Sequence, residues 1–261
     1  MVSLSILRLI ILNEYDAGYF LRDRNFNRIP QIGCTCSVCT STDPRDSRLR
    51  TSAIVEIEGK NILIDCGPDF RQQMLRFHIK RIDAVLVTHI HYDHTGGIDD
   101  LRPFGENGTV PIYLEPSVAE GIRNRLPYCF ADHRYPGVPN ICLQEIGLSP
   151  FLIEGIEIVP IRVMHYKLPI LGYRIGRFAY ITDALTIPES EYEKLKDIDV
   201  LVVNALRKKP HLSHQTLADA LRIIDRVGPR EAYLVHMSHH MGLTSEVEKE
   251  LPAHVHFAYD G

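Results

Sequence analysis

The sequence contains no apolar run that could cross a bilayer, and its first residues are not expected to be a signal peptide because they lack a small-residue cleavage site. Residues 4–12 come nearest to such a run, but Arg8 interrupts them and Asn13 ends them, so they are predicted to form a first strand. Repeats, low-complexity segments and linker-like stretches are also missing, so we expect one domain over residues 1–261. The six cysteines are clustered rather than spread as a disulfide framework, which favours a reducing cytoplasm.

A strong charge bias is missing as well. The chain has 29 basic and 33 acidic residues and a formal net charge of -4, so its bulk charge does not indicate a nucleic-acid partner, and none is expected. A hydrophobic content of 45% allows a sizeable core. Histidine is the exception to this ordinary composition, because the chain has 13 and most of them lie in short motifs.

The densest motif, residues 88–97, follows the apolar run 84–87, which reads as a buried strand. A glycine pair, Gly96 and Gly97, then turns the chain toward a predicted helix. Imidazole and carboxylate suit zinc, manganese or iron, and one ion cannot easily take four such ligands and still bind substrate. The motif therefore indicates a two-metal hydrolytic site. Its four candidate ligands are His89, His91, Asp93 and His94.

Three further candidates, His165, Asp183 and His236, each follow an apolar strand-like run. Their common position suggests one edge of a pair of packed sheets. Mixed strands and helices with hairpins predict an α+β fold in which helices cover these sheets.

Local patterns predict several individual elements. Residues 55–64 are predicted to be a hairpin with one solvent-facing side. Ser117 is predicted to cap a helix that runs to Arg125. Residues 188–196 are predicted to form a charged helix. Ser245 and Glu248 fit a capping box for a late helix.

The spacing His89-x-His91-x-Asp93-His94, followed in order by His165, Asp183 and His236, resembles the signature of the metallo-β-lactamase fold superfamily. A second motif narrows the resemblance to the branch of phosphoribosyl cyclic phosphodiesterase (PhnP) and its relatives. That motif is Cys34-x-Cys36-x-x-Cys39 joined by His239, three residues after His236. The resemblance implies a four-layer αββα sandwich with metals at the edge of its two sheets.

The resemblance also implies a ligand set. One ion would be held by His89, His91 and His165, the other by Asp93, His94 and His236, with Asp183 bridging them. Both would be zinc or manganese, with iron as a third choice. Asp183 counts against antibiotic hydrolysis, because the common zinc β-lactamases carry Cys at that place. Two ions roughly 3.5–4 Å apart would activate a water to attack phosphorus.

Two other residues are expected to assist. The resemblance assigns the catalytic histidine to His214, as general acid or as a stabiliser of phosphoryl charge, and Asp93 is counted as catalytic as well as a ligand. Asp65 is either a carboxylate that orients a ligand imidazole or a turn residue before Gly67.

Three cysteines and one histidine make a closed tetrahedral ligand set for a structural zinc ion. The members are Cys34, Cys36, Cys39 and His239. A disulfide would leave one thiol of the three over, so we expect metal instead. Cys66, Cys129 and Cys142 are predicted to be ordinary buried thiols.

These motifs predict a phosphodiesterase acting on a small cyclic or nucleotide-like phosphate ester. A tRNA 3′-end nuclease of the same superfamily is one alternative, although no insertion rich in Gly, Pro and basic residues could form its RNA-gripping arm. A non-catalytic metal-binding protein of cofactor biosynthesis is the other. The resemblance also allows a homodimer. Residues 13–20 depart from the family, whose members have a glycine-rich loop there.

Overall fold

The computed structural model describes residues 8–12, 29–106, 108–133 and 135–259. These residues form two compact units, one of residues 8–12 and 50–147 and one of residues 29–49 and 148–259. The unusual segment 13–20 and the start of the predicted first strand, residues 4–7, lie outside the described residues.

The first unit contains a six-stranded sheet in which the strands follow one another in chain order. Its strands are β1 (Arg8–Leu12), β2 (Ser52–Ile57), β3 (Lys60–Ile64), β4 (Ala84–Leu86), β5 (Val110–Leu114) and β6 (Ile141–Glu145). Its helices are α1 (Phe70–Phe77), α2 (Tyr92–Thr95) and α3 (Pro116–Arg125), with 3₁₀ helices at Ile98–Gly105 and Pro127–Cys129. The pairs from β3 to β6 are parallel, so their carboxyl ends meet at one edge of the sheet.

The second unit contains a seven-stranded sheet in the order β13-β12-β11-β10-β9-β8-β7. Its strands are β7 (Phe151–Ile153), β8 (Ile156–His165), β9 (Leu168–Ile175), β10 (Phe178–Ile181), β11 (Val200–Asn204), β12 (Glu231–Val235) and β13 (Val255–Phe257). Its helices are α4 (Leu217–Val227) and α5 (Thr244–Val247), with 3₁₀ helices at Pro44–Asp46, Glu189–Leu195, His239–Met241 and Glu248–Glu250.

Strand direction in this second sheet decides where its polar residues lie. The pairs from β10 to β13 are parallel, and β9 runs antiparallel to both β8 and β10. The strands β8, β10, β11 and β12 therefore point the same way, and their carboxyl ends share one edge. His165 ends β8, Asp183 follows β10 and His236 follows β12, so all three lie at this edge.

Each unit has its own apolar core. Ile54, Leu63 and Val85 are fully buried in the first core. In the second, Leu201 and Leu234 are fully buried and α4 packs its apolar face against them. Burying an aliphatic side chain contributes about 1.5–3 kcal/mol, so these cores hold the strand ends in place. None of the helices among the described residues is long and apolar enough to span a bilayer.

The helix starts differ from the sequence predictions. Helix α3 is preceded by Glu115 and has Pro116 in its first turn, where proline's fixed φ suits a helix start, so Ser117 is not its cap. Ser245 lies inside α5 rather than before it, because the backbone N–H of Thr244 already donates to Asp46 Oδ1 at 2.7 Å. The structure places a capping box at Thr216, before α4.

Two other local predictions hold in part. The charged helix predicted over residues 188–196 is present as the 3₁₀ helix Glu189–Leu195, in which the Glu191 carboxylate accepts from Arg162 N and Lys194 Nζ, both at 2.8 Å. The hairpin β2–β3 has no solvent-facing side along most of its length, because Ala53, Ile54 and Val55 are all fully buried. β2 lies between β1 and β3, as a central strand rather than an edge.

Candidate metal centres

The motif after β4 folds into a tight cluster, called the first cluster, formed by His89, His91, Asp93 and His94. The His89 ring centroid lies 4.5 Å from that of His91 and 4.3 Å from that of His94. His94 Nε2 is 3.3 Å from Asp93 Oδ2. Short helix α2 brings these side chains together within six residues, so the sequence prediction of a local polar cluster after a buried strand is confirmed.

Close backbone packing fixes this loop. A Cβ atom on Gly67 would overlap the carbonyl oxygen of Asp93, and one on Gly97 would overlap the carbonyl oxygen of Gly67. Only glycine allows these two segments to approach so closely. Arg125 of α3 secures the far side of the loop by donating to Thr95 Oγ1 at 2.5 Å and to Ile90 O at 3.2 Å.

Asp65 orients one imidazole of the first cluster. It follows β3 in the left-handed region (φ +61°), is fully buried, and its Oδ2 lies 2.6 Å from His94 Nδ1. Its Oδ1 accepts from Thr88 N at 2.8 Å. Burial raises the pKa of the Asp65 carboxyl, whereas His94 and the Thr88 donors oppose that shift. The contact with His94 supports the role of an orienting carboxylate, which holds the Nδ1 proton and leaves Nε2 as the ligand atom.

The second unit gathers another set, called the second cluster, formed by His165, Asp183, His214 and His236. One ligand atom each of His165, Asp183 and His214 lies within 4.8 Å of the others. His236 Nε2 is 2.9 Å from Asp183 Oδ1. The His214 ring stacks on that of His236 at 5.1 Å and lies 4.7 Å from that of His165. A buried carboxylate and three imidazoles, each from a separate chain segment, thus lie together.

Backbone carbonyls fix the tautomer of His165. Its Nδ1 lies 2.8 Å from Asp183 O and 3.0 Å from Ser213 O. Because carbonyl oxygens only accept, Nδ1 carries the proton and the Nε2 lone pair is left for a cation. Asn204, at the end of β11, holds the segment that carries Asp183, because its side chain accepts from Ala184 N at 2.8 Å and donates to Ala184 O at 2.9 Å. Both Asp183 and His236 turn off their strands with left-handed φ, a strained geometry typical of functional sites.

His214 differs from its neighbours. Its Nδ1 is buried and has no hydrogen-bond partner among the described residues. Burial, the largest cause, lowers the pKa of His214 to about 3, so the neutral ring is favoured in the chain alone. Two roles fit a buried imidazole that offers an unpartnered nitrogen, that of a metal ligand and that of a group facing substrate.

The cysteine cluster, formed by Cys34, Cys36, Cys39 and His239, also comes together. All four ligand atoms lie within 4.8 Å of one another, and His239 Nδ1 is 3.3 Å from the sulfurs of both Cys34 and Cys36. Gln31 N donates to Cys39 Sγ at 3.3 Å and Cys39 N to Cys36 Sγ at 3.5 Å. The His239 hydrogen bond lowers the pKa of Cys36 to about 6, whereas burial raises that of Cys39 to about 12.

This donor set fits a structural zinc ion, because three sulfurs and one imidazole nitrogen complete a tetrahedron. All six cysteines are free thiols. Cys66 and Cys129 are buried as predicted, but Cys142 is only half-buried because it lies on β6, the edge strand of its sheet.

Sequence reasoning missed several contributors. Thr88, Asn204 and the Ser213 carbonyl position ligands without resembling ligands themselves. The one available signal was a polar Asn204 closing the apolar run Val200–Val203. His211, to which no sequence motif assigns a role, has its ring centroid 5.1 Å from that of His214.

Comparisons with known proteins agree with the predicted fold. Residues 60–237 match the family described as "Beta-lactamase superfamily domain". A crystal structure of a new diphosphatase from the PhnP family superposes with a TM-score of 0.87 and 34% identity, covering 98% of this chain and 96% of that one. The α+β metallo-β-lactamase fold predicted from the sequence is therefore confirmed.

Curated relatives add two further activities. An octanoyltransferase from Porphyromonas gingivalis is 46% identical over 236 residues, which are 89% of this chain and 48% of that protein. A ribonuclease Z from Parabacteroides distasonis is 37% identical over 182 residues, 60% of this chain and 56% of that protein. The chain thus spans about half the length of these relatives. The ribonuclease Z match does not support the prediction that a nucleic-acid partner is absent.

Proposed function

Because the chain belongs to the metallo-β-lactamase superfamily of hydrolases, in the branch of the PhnP-family diphosphatase, we propose that it hydrolyses a small phosphate ester with the help of divalent metal ions. The observation that carries the proposal is the grouping of buried Asp183 with three imidazoles in the second cluster. A buried carboxylate among histidines is a costly arrangement that a bound cation would stabilise. No acyl transfer is proposed, because the octanoyltransferase relative is twice as long as the matched region.

The proposed ligands are those that the sequence motif predicts. One ion would be held by His89, His91 and His165, the other by Asp93, His94 and His236, and Asp183 would serve both. The locked tautomers of His94 and His165 support this set, since each leaves Nε2 as the ligand atom. When bound, such ions supply a water of lowered pKa and neutralise charge on a phosphoryl group.

The protein's own side chains have three tasks in this proposal. Asp65 and the carbonyl of Ser213 hold imidazoles in the tautomer that binds a cation. Asp93 would serve as a ligand and orient the water that attacks phosphorus. His214, neutral and buried, would donate a hydrogen bond to a phosphoryl oxygen and so stabilise the charge that develops there.

Replacing His214 with alanine tests its assignment to substrate rather than metal. We expect turnover of bis(p-nitrophenyl) phosphate to fall roughly 10²–10⁴-fold while the metal content per chain stays at the wild-type value. His256→Ala is the matched control, because that imidazole is partly exposed and pairs with Glu231 at 2.8 Å. Loss of one ion in the His214 variant would instead make His214 a ligand.

A second candidate function is cleavage of RNA at a tRNA 3′ end, which the ribonuclease Z relatives favour. The two functions separate when one preparation is given bis(p-nitrophenyl) phosphate and a tRNA precursor with a 3′ trailer, each with zinc, manganese or iron. We expect the diester to be hydrolysed and the precursor to stay intact. Cleavage of the trailer with the higher kcat/KM would favour the nuclease, and no turnover of either would favour a non-catalytic metal-binding role.

A further inference from the structure

The tight hairpin turns of this chain share a composition from which one turn departs. In the part of the chain that the structure describes, four hairpins have two-residue turns, at residues 58–59, 154–155, 166–167 and 176–177. Three of these turns contain a glycine, namely Gly59, Gly155 and Gly176. The turn between β8 and β9 contains Tyr166 and Lys167 instead.

Tyr166 occupies a backbone conformation that usually belongs to glycine. Its φ is +56°, close to the +57° of Gly176 at the first position of the β9–β10 turn. A positive φ at that position is typical of a type II′ turn, which favours glycine there because the Cβ atom of any other residue crowds the backbone. Since Gly176 forms a two-residue turn at the same φ, the need to turn the chain does not explain a tyrosine at residue 166.

This turn borders the second cluster. His165, the last residue of β8, pairs with Leu168 across the turn, and Tyr166 follows His165 directly, so the Cα atoms of these two neighbours are about 3.8 Å apart. A backbone hydrogen bond from Leu185 N to Met164 O at 2.7 Å holds this end of β8 against the segment that follows β10. The turn therefore lies at the edge of the sheet where the candidate ligands of the second cluster meet.

The side chains of the turn present an aromatic surface to solvent. The Tyr166 ring is 46% exposed, and Lys167 Nζ lies 5.4 Å from its centroid. A cation at that distance is attracted to the ring and so restricts its orientation. Leu168 is 38% exposed and adds apolar surface on the far side of the turn. A strained residue with an exposed ring thus stands next to a candidate metal ligand, and strain of this kind is typical of functional sites.

We propose that Tyr166 stacks on the nucleobase of the substrate and so selects nucleotide-like esters over esters that carry no base. This rests on the proposed function and narrows its substrate class. An aromatic ring offers a flat surface to every base but no hydrogen-bond code, so preference among the four bases is expected to be weak. The tyrosine lowers the stability of its turn, and binding of the base is the gain that accounts for it.

A pair of chromogenic substrates that differ only in the base tests this role. They are thymidine 5′-(p-nitrophenyl phosphate) and its abasic analogue, in which hydrogen replaces the thymine, each assayed with the metal-loaded protein. Wild-type kcat/KM should be about tenfold higher for the thymidine ester, since stacking of one base on an aromatic side chain contributes at least about fivefold. In Tyr166→Gly the ratio should fall to near one, while kcat/KM for the abasic ester stays at the wild-type value.

Two further measurements separate stacking from a structural role. Tyr166→Phe keeps the ring and should keep the wild-type ratio. The melting temperature of Tyr166→Gly should equal or exceed that of the wild type, because glycine adopts the positive φ without strain. A glycine variant that melts lower and loses activity equally on both esters would make Tyr166 a structural residue and overturn the proposal.

Tyr259→Gly is the matched control, because that tyrosine belongs to the same unit and is 50% exposed, and its removal should keep the wild-type ratio. A wild-type ratio of one, or an unchanged ratio in Tyr166→Gly, overturns the stacking while activity on both esters upholds the proposed hydrolase. If neither ester is cleaved, the proposed function fails, and calorimetry with thymidine 5′-monophosphate and abasic deoxyribose 5-phosphate decides the stacking alone. Tighter binding of the thymidine compound that Tyr166→Gly loses supports it, and equal or absent binding overturns it.

Oligothymidylate competitors distinguish the source of the base. Competition that depends on Tyr166 and is already complete with the mononucleotide supports a small ester. Competition that continues to strengthen with each added nucleotide overturns this assignment in favour of a nucleic-acid strand.

Discussion

Replacing Asp183 with alanine is expected to lower kcat/KM for bis(p-nitrophenyl) phosphate by roughly a thousandfold or more and to reduce the metal content. The carboxylate is 2% exposed, lies 2.9 Å from His236 Nε2 and accepts from Thr182 Oγ1 at 3.0 Å. It is the only one of the proposed ligands assigned to both ions, so its removal weakens both sites together. Metal analysis and steady-state kinetics on the same preparation measure the two effects.

Asp199→Ala is the matched control for this variant. Asp199 also lies beside a strand of the second sheet, but it is partly exposed and pairs with Arg177 at 2.6 Å. Exposed ion pairs contribute about 0–1 kcal/mol, so this variant should keep its metal and its activity. An Asp183→Ala variant with full metal content and kcat/KM within about an order of magnitude of the wild type would show that the proposed ligand set is wrong.

Replacing Cys36 with serine is expected to release one zinc ion per chain and to lower the melting temperature by roughly 10 °C. The thiol–imidazole contacts at 3.3 Å are worth only about 1 kcal/mol each without metal, whereas structural zinc sites contribute about 10–16 kcal/mol in small domains. Zinc would also close a loop, because Cys34 and His239 are 205 residues apart in sequence.

Other contacts limit the loss of folding free energy in the Cys36 variant to a part of the zinc contribution of about 10–16 kcal/mol. Buried Arg48 donates to Thr244 Oγ1 at 2.8 Å, and Asp46 accepts from Thr244 N at 2.7 Å. These bonds hold residues near the cysteine cluster on α5 without zinc, so we expect a destabilised chain rather than an unfolded one. Thermal unfolding with and without a chelator measures the effect.

Cys142→Ser provides the comparison within the same chain. This thiol is half-buried on an edge strand and its sulfur accepts one long hydrogen bond, 3.5 Å from Gln144 Nε2. Its replacement should leave both zinc content and melting temperature at the wild-type values. Equal melting temperatures for the Cys36 and Cys142 variants, with zinc retained in both, would contradict a structural zinc site.

The sequence by itself determined the fold family and the candidate ligands. Four candidate ligands lie within six residues of one loop, so local chain geometry alone brings their side chains together. They are His89, His91, Asp93 and His94. Apolar runs before His165, Asp183 and His236 predicted strand ends correctly, because buried strands have a composition that reads without tertiary information.

Tertiary structure decided everything that depends on segments distant in sequence. The contact of His239 with Cys34 and Cys36, that of Asp65 with His94, and that of the Ser213 carbonyl with His165 arise only when strand order brings chain ends together. The start of α5 was mispredicted for the same reason, because Asp46 supplies a long-range acceptor to Thr244 where the sequence offered a local capping box. A periodic pattern reports which side of a strand or helix is buried, but it does not specify which distant polar group will satisfy a given donor.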